Sequence, residues 1–321
     1  MLSRVAENVY WMARYIERAE NTARLVSVNA FLLLDLPRGI APGWEPLIAI
    51  TGSGPAFKAR HKDYDERAVV KFLLGDPDSP SSILNSLLMA RENCRTVRDI
   101  VPSMAWEQLT ELVLFARENV QAGLTKKGRH PYLKRIIDAS HMLYGMLATT
   151  MLRDAGYQFL RVGRNLERAD MTTRIVDVRT ENLLPEETSE LRPFETIQWM
   201  SVLKSLSAYH MYRRKMQVQV RRSEVLRFLF LDHDFPRSVL HCLDVVEEAL
   251  GALEHDRDAP RALRSLARKV ARTKVEQLSH SELHSFIDEL QVGLTGVHAR
   301  IASVYFPPVE EAAQQAQAQS S

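Results

Sequence analysis

The stretch RYIERAENTAR, residues 14–24, recurs later in the chain as RNLERADMTTR, residues 164–174. When residues 14–28 are aligned with residues 164–178, eight of the fifteen positions are identical. Both copies lack proline and glycine, and each lies in a stretch with apolar residues at helical spacing, which predicts an α-helix in each place. The chain therefore contains two copies of one charged helix.

A second pair of similar segments follows in the same order. FLLGDPDSPSSILNSL, residues 72–87, matches FLFLDHDFPRSVLHCL, residues 228–243, at eight of sixteen positions. The two motifs are displaced by 150 and 156 residues, a period far longer than that of solenoid repeats. We therefore predict an internally duplicated unit, with repeats at about 1–150 and 151–306 that pack in a pseudo-twofold arrangement.

The helical period extends along most of the chain. Val5, Val9, Met12 and Ile16 recur at steps of three and four, as on one face of an α-helix. Prolines fall between such segments, where they end helices, and alternating strand patterns are nearly absent. We predict an all-α helical bundle that forms a single domain over residues 1–306. The polar, low-complexity residues 307–321 are predicted to be a disordered tail.

Composition narrows the function classes. The 321 residues are 45% hydrophobic, enough for a sizeable core, and 42 basic residues against 40 acidic ones give no reason to expect nucleic-acid binding. Only two cysteines occur, Cys94 and Cys242, which favours a reducing compartment. No signal peptide and no membrane-spanning run of about 18 apolar residues is evident. We expect a cytoplasmic protein that binds neither nucleic acid nor membrane.

The charged side of the first motif has three open interpretations. Arg14, Glu17 and Arg18 share one side of a helix, opposite the apolar face. They form a solvated face braced by ion pairs within the helix, a buried structural network, or an anion site built from guanidinium groups. The repetition of the motif favours the network or the site. The candidate residues are Arg14, Glu17, Arg18, Arg24, Arg164, Glu167, Arg168 and Arg174.

Two pairs of aspartates each precede a proline: Asp76 with Asp78, and Asp232 with Asp234. Carboxylates at this spacing could be ligands of Mg²⁺. An acidic residue just before a proline is also a signal for the start of a helix. We favour the acidic cap, formed by Asp78 or Ser79 in the first segment and by Asp234 in the second.

Other candidate chemistry is weak. The segment TGSGP, residues 51–55, lacks the lysine that follows in a phosphate-binding loop. His280 and His284 have two-ligand spacing without a third ligand in a known pattern. Arg213 and Arg214, in the segment YRRK, form a candidate basic patch, although such clusters are typical of solvated helix ends. We expect no metal ion and no cofactor.

Several segments together resemble the bacterial alpha-E family, whose name refers to helices with a Glu-Arg motif. The resemblance spans residues 1 to about 306 and implies an all-α fold. The Glu-Arg motif falls here on Glu17 with Arg18 and on Glu167 with Arg168. The segments that carry the resemblance are MLSRVAENVYWMARYIERAENTARL, PSSILNSLLMARENCRTVRD, LRVGRNLERADMTTRIVDV, YRRK and FLFLDHDFPRSV.

The resemblance also implies partners. Alpha-E proteins typically neighbour, or are fused to, circularly permuted ATP-grasp proteins of the amidoligase type, often with a transglutaminase-like peptidase. The function expected from this context is a helical accessory subunit that docks the ligase and positions an acceptor in amide or peptide synthesis. The alternative is an enzyme that binds a carboxylated or phosphorylated substrate between the two Glu-Arg helices, with Glu17 or Glu167 as general base.

Overall fold

The computed structural model describes residues 3–37, 42–77, 79–181, 192–217, 219–253 and 258–307. Over these residues the chain forms fourteen α-helices, a short 3-10 helix and no β-strand, which confirms the prediction of an all-α fold. The helices are α1 (Ser3–Asp35), α2 (Glu45–Ile50), α3 (Gly54–Lys58), α4 (Glu66–Gly75), α5 (Ile83–Arg95), α6 (Ser103–Leu124), α7 (Lys126–Thr150), α8 (Ala155–Glu181), α9 (Arg192–Ser205), α10 (Tyr209–Met216), α11 (Arg222–Leu231), α12 (Val239–Gly251), α13 (Asp258–Arg272) and α14 (His280–Tyr305).

Helix α1 lies at the centre of the bundle and packs against α4, α5, α7, α8, α9 and α14. The predicted apolar face is buried, because Val9, Met12 and Ile16 are at most 1% exposed. Charged residues in the middle of the helix are buried as well, since Glu17 and Glu20 are fully inaccessible to solvent. Charged side chains that are buried in this way need partners, and the neighbouring helices must supply them.

Helices α1 and α8 carry the two Glu-Arg motifs, lie against each other and run in the same direction. Contacts occur in the same order along both helices, from Gly163 beside the Tyr10 carbonyl oxygen to Arg179, which donates to Asn29 at 2.9 Å. At the first of these contacts a Cβ on Gly163 would lie 2.3 Å from the Tyr10 carbonyl oxygen. Glycine at this position permits the close approach of the two backbones.

The later helices correspond in pairs. Helices α4 and α11 each have ten residues, and α5 and α12 each have thirteen. Both of the longer helices begin after a serine, Ser82 or Ser238, whose hydroxyl accepts an N–H from the first turn. Residues with positive φ, Gly52 at 64° and Ser207 at 52°, precede α3 and α10 at similar distances. This is the correspondence that the predicted duplication requires, and the duplication and its twofold arrangement stay predictions.

Two further expectations concern membrane-spanning helices and the C-terminal tail. None of the helices in the described ranges combines the length and apolar character needed to cross a bilayer. The predicted disordered tail, residues 307–321, lies outside the described residues apart from Pro307.

The close approach of α1 and α8 predicts that Gly163→Ala lowers the free energy of unfolding by about 1–3 kcal/mol, because the added methyl would overlap backbone atoms of α1. Gly145→Ala in α7 is the matched control. The space around a Cβ at Gly145 is open, and alanine favours a helix over glycine by up to about 1 kcal/mol. Urea unfolding followed by circular dichroism measures both variants. Equal stability of the two would show that the close approach imposes no constraint.

Candidate functional site between the two Glu-Arg helices

Glu17 of α1 is fully buried and is bound by three arginines from later parts of the chain. Its Oε1 accepts a hydrogen bond from Arg237 at 2.6 Å and lies 3.0 Å from Nε of Arg168, and its Oε2 accepts from Nε of Arg164 at 3.3 Å. Burial alone would raise the pKa of Glu17, yet the charges of Arg168, Arg237 and Arg164 hold that pKa well below its usual range. The arginines therefore favour the ionised form of this side chain.

Glu167 of α8 has the reciprocal arrangement. Its Oε2 accepts from Nε of Arg14 at 2.7 Å, and Arg18 donates to both carboxylate oxygens at 2.6 and 3.0 Å. Burial opposes ionisation here too, but Arg18 and Arg14 lower the pKa of Glu167 to about 2. Each glutamate is thus bound by the arginines of the other helix.

These contacts exclude the interpretation of a solvated face. The ion pairs do not run from Arg14 to Glu17 along one helix, as helical spacing suggested, but cross between α1 and α8. The two motif carboxylates are at most 1% exposed, and Arg168 is 8% exposed. The motif therefore forms a buried network between the helices.

Arg237 is the member of the network that the motifs did not predict. It follows Pro236 directly, and its guanidinium bonds Glu17, the amide oxygen of Asn21 at 2.9 Å and the carboxylate of Glu20 at 2.8 Å. The first copy of the same segment has Ser81 at the corresponding position, after Pro80. That difference between two otherwise similar segments is the sequence signal that could have identified Arg237.

Glu20 is a further residue of the network that the sequence analysis did not predict. It is fully buried, pairs with Arg24 one turn later in α1, and accepts from Nε2 of His141 at 2.6 Å. Arg24 itself is 4% exposed, so this predicted candidate belongs to the buried network. The corresponding pair in α8 is Asp170 with Arg174, joined at 2.9 Å and more exposed to solvent.

A cavity of about 250 Å³ lies beside the Glu167 network, between α1, α8 and the turn before α3. We call it the Glu167 cavity. Most of its lining is polar. The residues that line it are Arg18, Thr22, Ile50, Thr51, Gly52, Ser81, Glu167, Asp170, Met171 and Arg174.

The prediction of an acidic N-cap was wrong. The N-caps of α5 and α12 are Ser82 and Ser238, and the prolines stand three residues before the first residue of each helix. Asp76 and Asp232 instead follow the last residues of α4 and α11. The Asp232 carboxylate accepts the N–H groups of the second and third residues after it at 2.9 Å each, so it stabilises the turn rather than a helix start.

Basic side chains occupy the places where a metal ion would bind these aspartates. Lys215 pairs with Asp232 at 2.7 Å and with Asp234 at 2.8 Å. Asp76 pairs with Arg60 at 2.9 Å. The remaining aspartate, Asp78, lies outside the described residues. Ammonium and guanidinium groups here neutralise the carboxylates, which argues against the Mg²⁺ interpretation.

Two other candidate sites, a basic patch and a group of possible metal ligands, lie outside the contact between α1 and α8. The predicted basic patch, Arg213 and Arg214, is exposed in the last turn of α10. Within the described ranges Asp177, His284 and Asp288 have ligand atoms within 4.8 Å of one another. The His284 ring bonds Asp177 at 2.7 Å, so the grouping is satisfied by its own hydrogen bond. Neither feature adds to the site between α1 and α8.

Removing one charge from the network tests whether it holds the fold together. Glu17→Gln should lower the free energy of unfolding by about 3–5 kcal/mol, because three guanidinium groups would surround a neutral side chain in the interior. Glu92→Gln, which breaks an exposed pair with Arg95 in α5, is the control and should unfold with the wild type. Urea titration measures both. A Glu17→Gln protein as stable as the control would contradict a structural role for the network.

Acid should weaken the fold in two stages. Burial, together with the charges of Arg24 and Arg237, lowers the pKa of His141 to about 4. In the unfolded chain the pKa of histidine is about 6.5, so the unfolded chain takes up the proton first as the pH falls. The free energy of unfolding should therefore begin to fall below about pH 6.5. The lowered pKa of Glu167 corresponds to about 3 kcal/mol that is present above about pH 4.5 and is lost as the pH falls towards about 2.

Urea unfolding from about pH 7 down to about pH 3 checks this order. His141→Gln, which keeps a side-chain N–H donor, should remove the first decline, and Glu167→Gln should reduce the second. A pH profile that is the same in both variants as in the wild type would contradict the assignment.

Comparison with known proteins identifies the family. The Alpha-E family, described as a predicted alpha-helical domain with a conserved ER motif, matches residues 1–306. Uncharacterized proteins of Mycobacterium bovis and Mycobacterium tuberculosis are 24% and 23% identical over 333 aligned positions. The match covers 94% of this chain but 36% of each relative, so the chain spans little more than a third of their length. No solved structure matches. With its Glu-Arg motifs on α1 and α8, the chain belongs to the Alpha-E family.

Proposed function

We propose that this protein is a helical accessory subunit of an ATP-grasp amidoligase system, where it docks the circularly permuted ligase and positions an acceptor. The class of partner comes from the family resemblance, and a transglutaminase-like protein is a further partner in the same proposal. The observation that carries the docking role is an exposed apolar groove on the surface of the bundle. A ligase partner would supply the ATP chemistry.

The docking groove lies between the end of α1 and the start of α7 and has a volume of about 500 Å³. Phe31 and Leu34 lie in it and are 49% and 81% exposed, a high value for large apolar side chains. Apolar concave surfaces with a polar rim are typical of protein-interaction sites. The groove is lined by Ser27, Ala30, Phe31, Leu33, Leu34, Trp44, Glu66, Lys126, Arg129, His130 and Leu133.

The length of the relatives supports a function with a partner. In the two mycobacterial proteins the matched region is only 36% of the chain, so most of each relative lies outside it. A domain that occurs within much larger chains works next to other domains. A separate subunit of the same family would need a surface for binding a comparable partner, and the docking groove offers one.

The enzyme alternative loses its proposed general base. A base must accept a proton near the working pH, whereas Glu17 and Glu167 are buried carboxylates whose oxygens are already bound by guanidinium groups. Their lowered pKa values make proton uptake at neutral pH unfavourable. A ligand could still bind between α1 and α8, because binding does not require a general base.

A cytoplasmic location belongs to the same proposal. Cys94 and Cys242 are free and buried, and burial raises the pKa of these thiols to about 11 and about 12. Protonated, inaccessible thiols fit a structural role in a reducing compartment better than disulfide formation.

The proposal predicts that this protein co-purifies with the neighbouring ATP-grasp protein and does not bind Mg-ATP alone. Leu34→Asp should weaken the complex at least about tenfold, because it places a charge in the apolar groove. Leu152→Asp is the matched control, since Leu152 is 78% exposed in the connection between α7 and α8, away from the groove. Pull-down and calorimetry with purified proteins measure both.

Two results would contradict the proposal. In the first, the wild-type protein does not associate with the ligase, and the ligase forms its full product without this protein. The other is micromolar binding of Mg-ATP by this protein alone, lost when Arg18 or Arg174 is changed, which would favour the enzyme alternative.

A further inference from the structure

The two Glu-Arg networks differ in the number of guanidinium groups around the glutamate. Three guanidinium groups surround Glu17, and two surround Glu167. The third group at Glu17 is that of Arg237, and Ser81 stands at the corresponding position next to Glu167. Both positions are fixed in the same way, between a proline and a serine N-cap.

The Glu167 cavity occupies the place that the Arg237 side chain fills in the other network. Six of its ten lining residues correspond, at a displacement of 150 positions, to residues of the Glu17 network. A volume of about 250 Å³ is several times the share of one water molecule, about 30 Å³ in the liquid, so the cavity has room for a group of several atoms. The corresponding pairs are Arg18 with Arg168, Thr22 with Thr172, Glu167 with Glu17, Asp170 with Glu20, and Arg174 with Arg24.

The acceptors that bind Arg237 have counterparts in the cavity. Arg237 donates to two carboxylates, those of Glu17 and Glu20. Glu167 and Asp170 stand at the corresponding positions and line the cavity. Oδ2 of Asp170 accepts from Arg174 at 2.9 Å, and among the described residues no hydrogen bond ends on Oδ1. A carboxylate oxygen is therefore available beside the Glu167 network.

Thr22 adds to the cavity wall a hydroxyl group that can accept a hydrogen bond from a donor in the cavity. It is fully buried and lines the cavity, and its hydroxyl has no hydrogen-bond partner among the described residues. The corresponding hydroxyl, that of Thr172, donates to the carbonyl oxygen of Arg237 at 2.9 Å. Buried hydroxyl groups without a partner are uncommon, because an unmade hydrogen bond destabilises the fold.

We propose that the Glu167 cavity binds a guanidinium group from outside the chain, in the way the Glu17 network binds Arg237. The group would be that of free arginine or of an arginine side chain in a peptide. It would donate to Glu167 and Asp170, with its methylene groups against Met171, which replaces the Asn21 of the occupied network. This inference goes beyond the proposed docking function and requires no ligase.

The cavity is accessible from one side. Arg18, Asp170 and Arg174 have side chains that are 23%, 21% and 33% exposed, whereas Arg24 and Arg168 at the corresponding positions are below 10%. A ligand can therefore enter past Arg174. An anion is the competing ligand, because Arg18 and Arg174 also line the cavity. The titration with phosphate distinguishes the two kinds of ligand.

Calorimetric titration of the whole protein tests the proposal with three guanidinium probes: ethylguanidinium, L-arginine and a capped Gly-Arg-Gly peptide. Binding of all three, with tighter binding of the peptide, would assign the ligand to a peptide side chain. Tighter binding of L-arginine would assign it to the free amino acid. The capped Gly-Lys-Gly peptide and inorganic phosphate are the control ligands, and weaker binding of both is expected because neither has a planar fork of donors.

Variants of the cavity separate this ligand from an adventitious one. Ser81→Arg supplies an internal guanidinium where Arg237 stands in the other network, so it should abolish binding and raise the melting temperature. Asp170→Asn should weaken binding about tenfold through loss of a charge-assisted hydrogen bond. Glu248→Gln, which breaks an exposed pair with Arg161 outside the cavity, should leave the affinity unchanged.

The proposal is overturned if no guanidinium probe binds the wild type, or if Ser81→Arg or Asp170→Asn binds as tightly as the wild type. Binding of phosphate that Arg174→Gln abolishes, without binding of the arginine probes, would show that the cavity is an anion site. Should Ser81→Arg fail to fold, Asp170→Asn alone decides the question, and unchanged affinity of that variant overturns the proposal.

Discussion

Moving a carboxylate from water into a protein interior costs several kcal/mol, and both Glu17 and Glu167 lie in the interior of this bundle. Each is compensated by guanidinium groups from the helix opposite, so neither helix can bury its motif alone. A shift of α8 along α1 by one turn would separate the pairs and leave buried charges uncompensated. The ion pairs therefore fix the register of α1 and α8, and we infer that they serve specificity of packing more than stability.

The close approach at Gly163 acts together with these ion pairs. A glycine beside the Tyr10 carbonyl lets the helices lie near enough for Arg14 to reach Glu167. Because α1 also contacts α4, α5, α7, α9 and α14, its position relative to α8 determines where the other helices pack. The contact between the two backbones and the buried ion pairs thus set the arrangement of α1 and α8 within the bundle.

The two networks are similar in construction and differ in what fills them. Arg237 completes the network around Glu17, and Ser81 leaves a cavity beside Glu167. The completed network is a structural element, since the guanidinium of Arg237 fills the space between its carboxylates. The incomplete one has the same acceptors and an opening to solvent, which makes it the better candidate for binding. The exposed groove near Phe31 is separate from both and has the apolar character of a protein-docking surface.

Periodicity and repetition are local properties, so the sequence alone determined the all-α class, the buried apolar face of α1 and the importance of the Glu-Arg motif. Whether Arg14 pairs with Glu17 or with Glu167 is not local, because helical spacing allows the first and only the packing of α8 against α1 produces the second. The same limit applies to Arg237, which is distant in sequence from Glu17 and Glu20 and contacts both. The helix starts were misplaced for a different reason: aspartate before proline and serine after it are both plausible caps, and only the backbone path selects Ser82 and Ser238. The tertiary structure alone decided which charges meet, and therefore where a cavity is left.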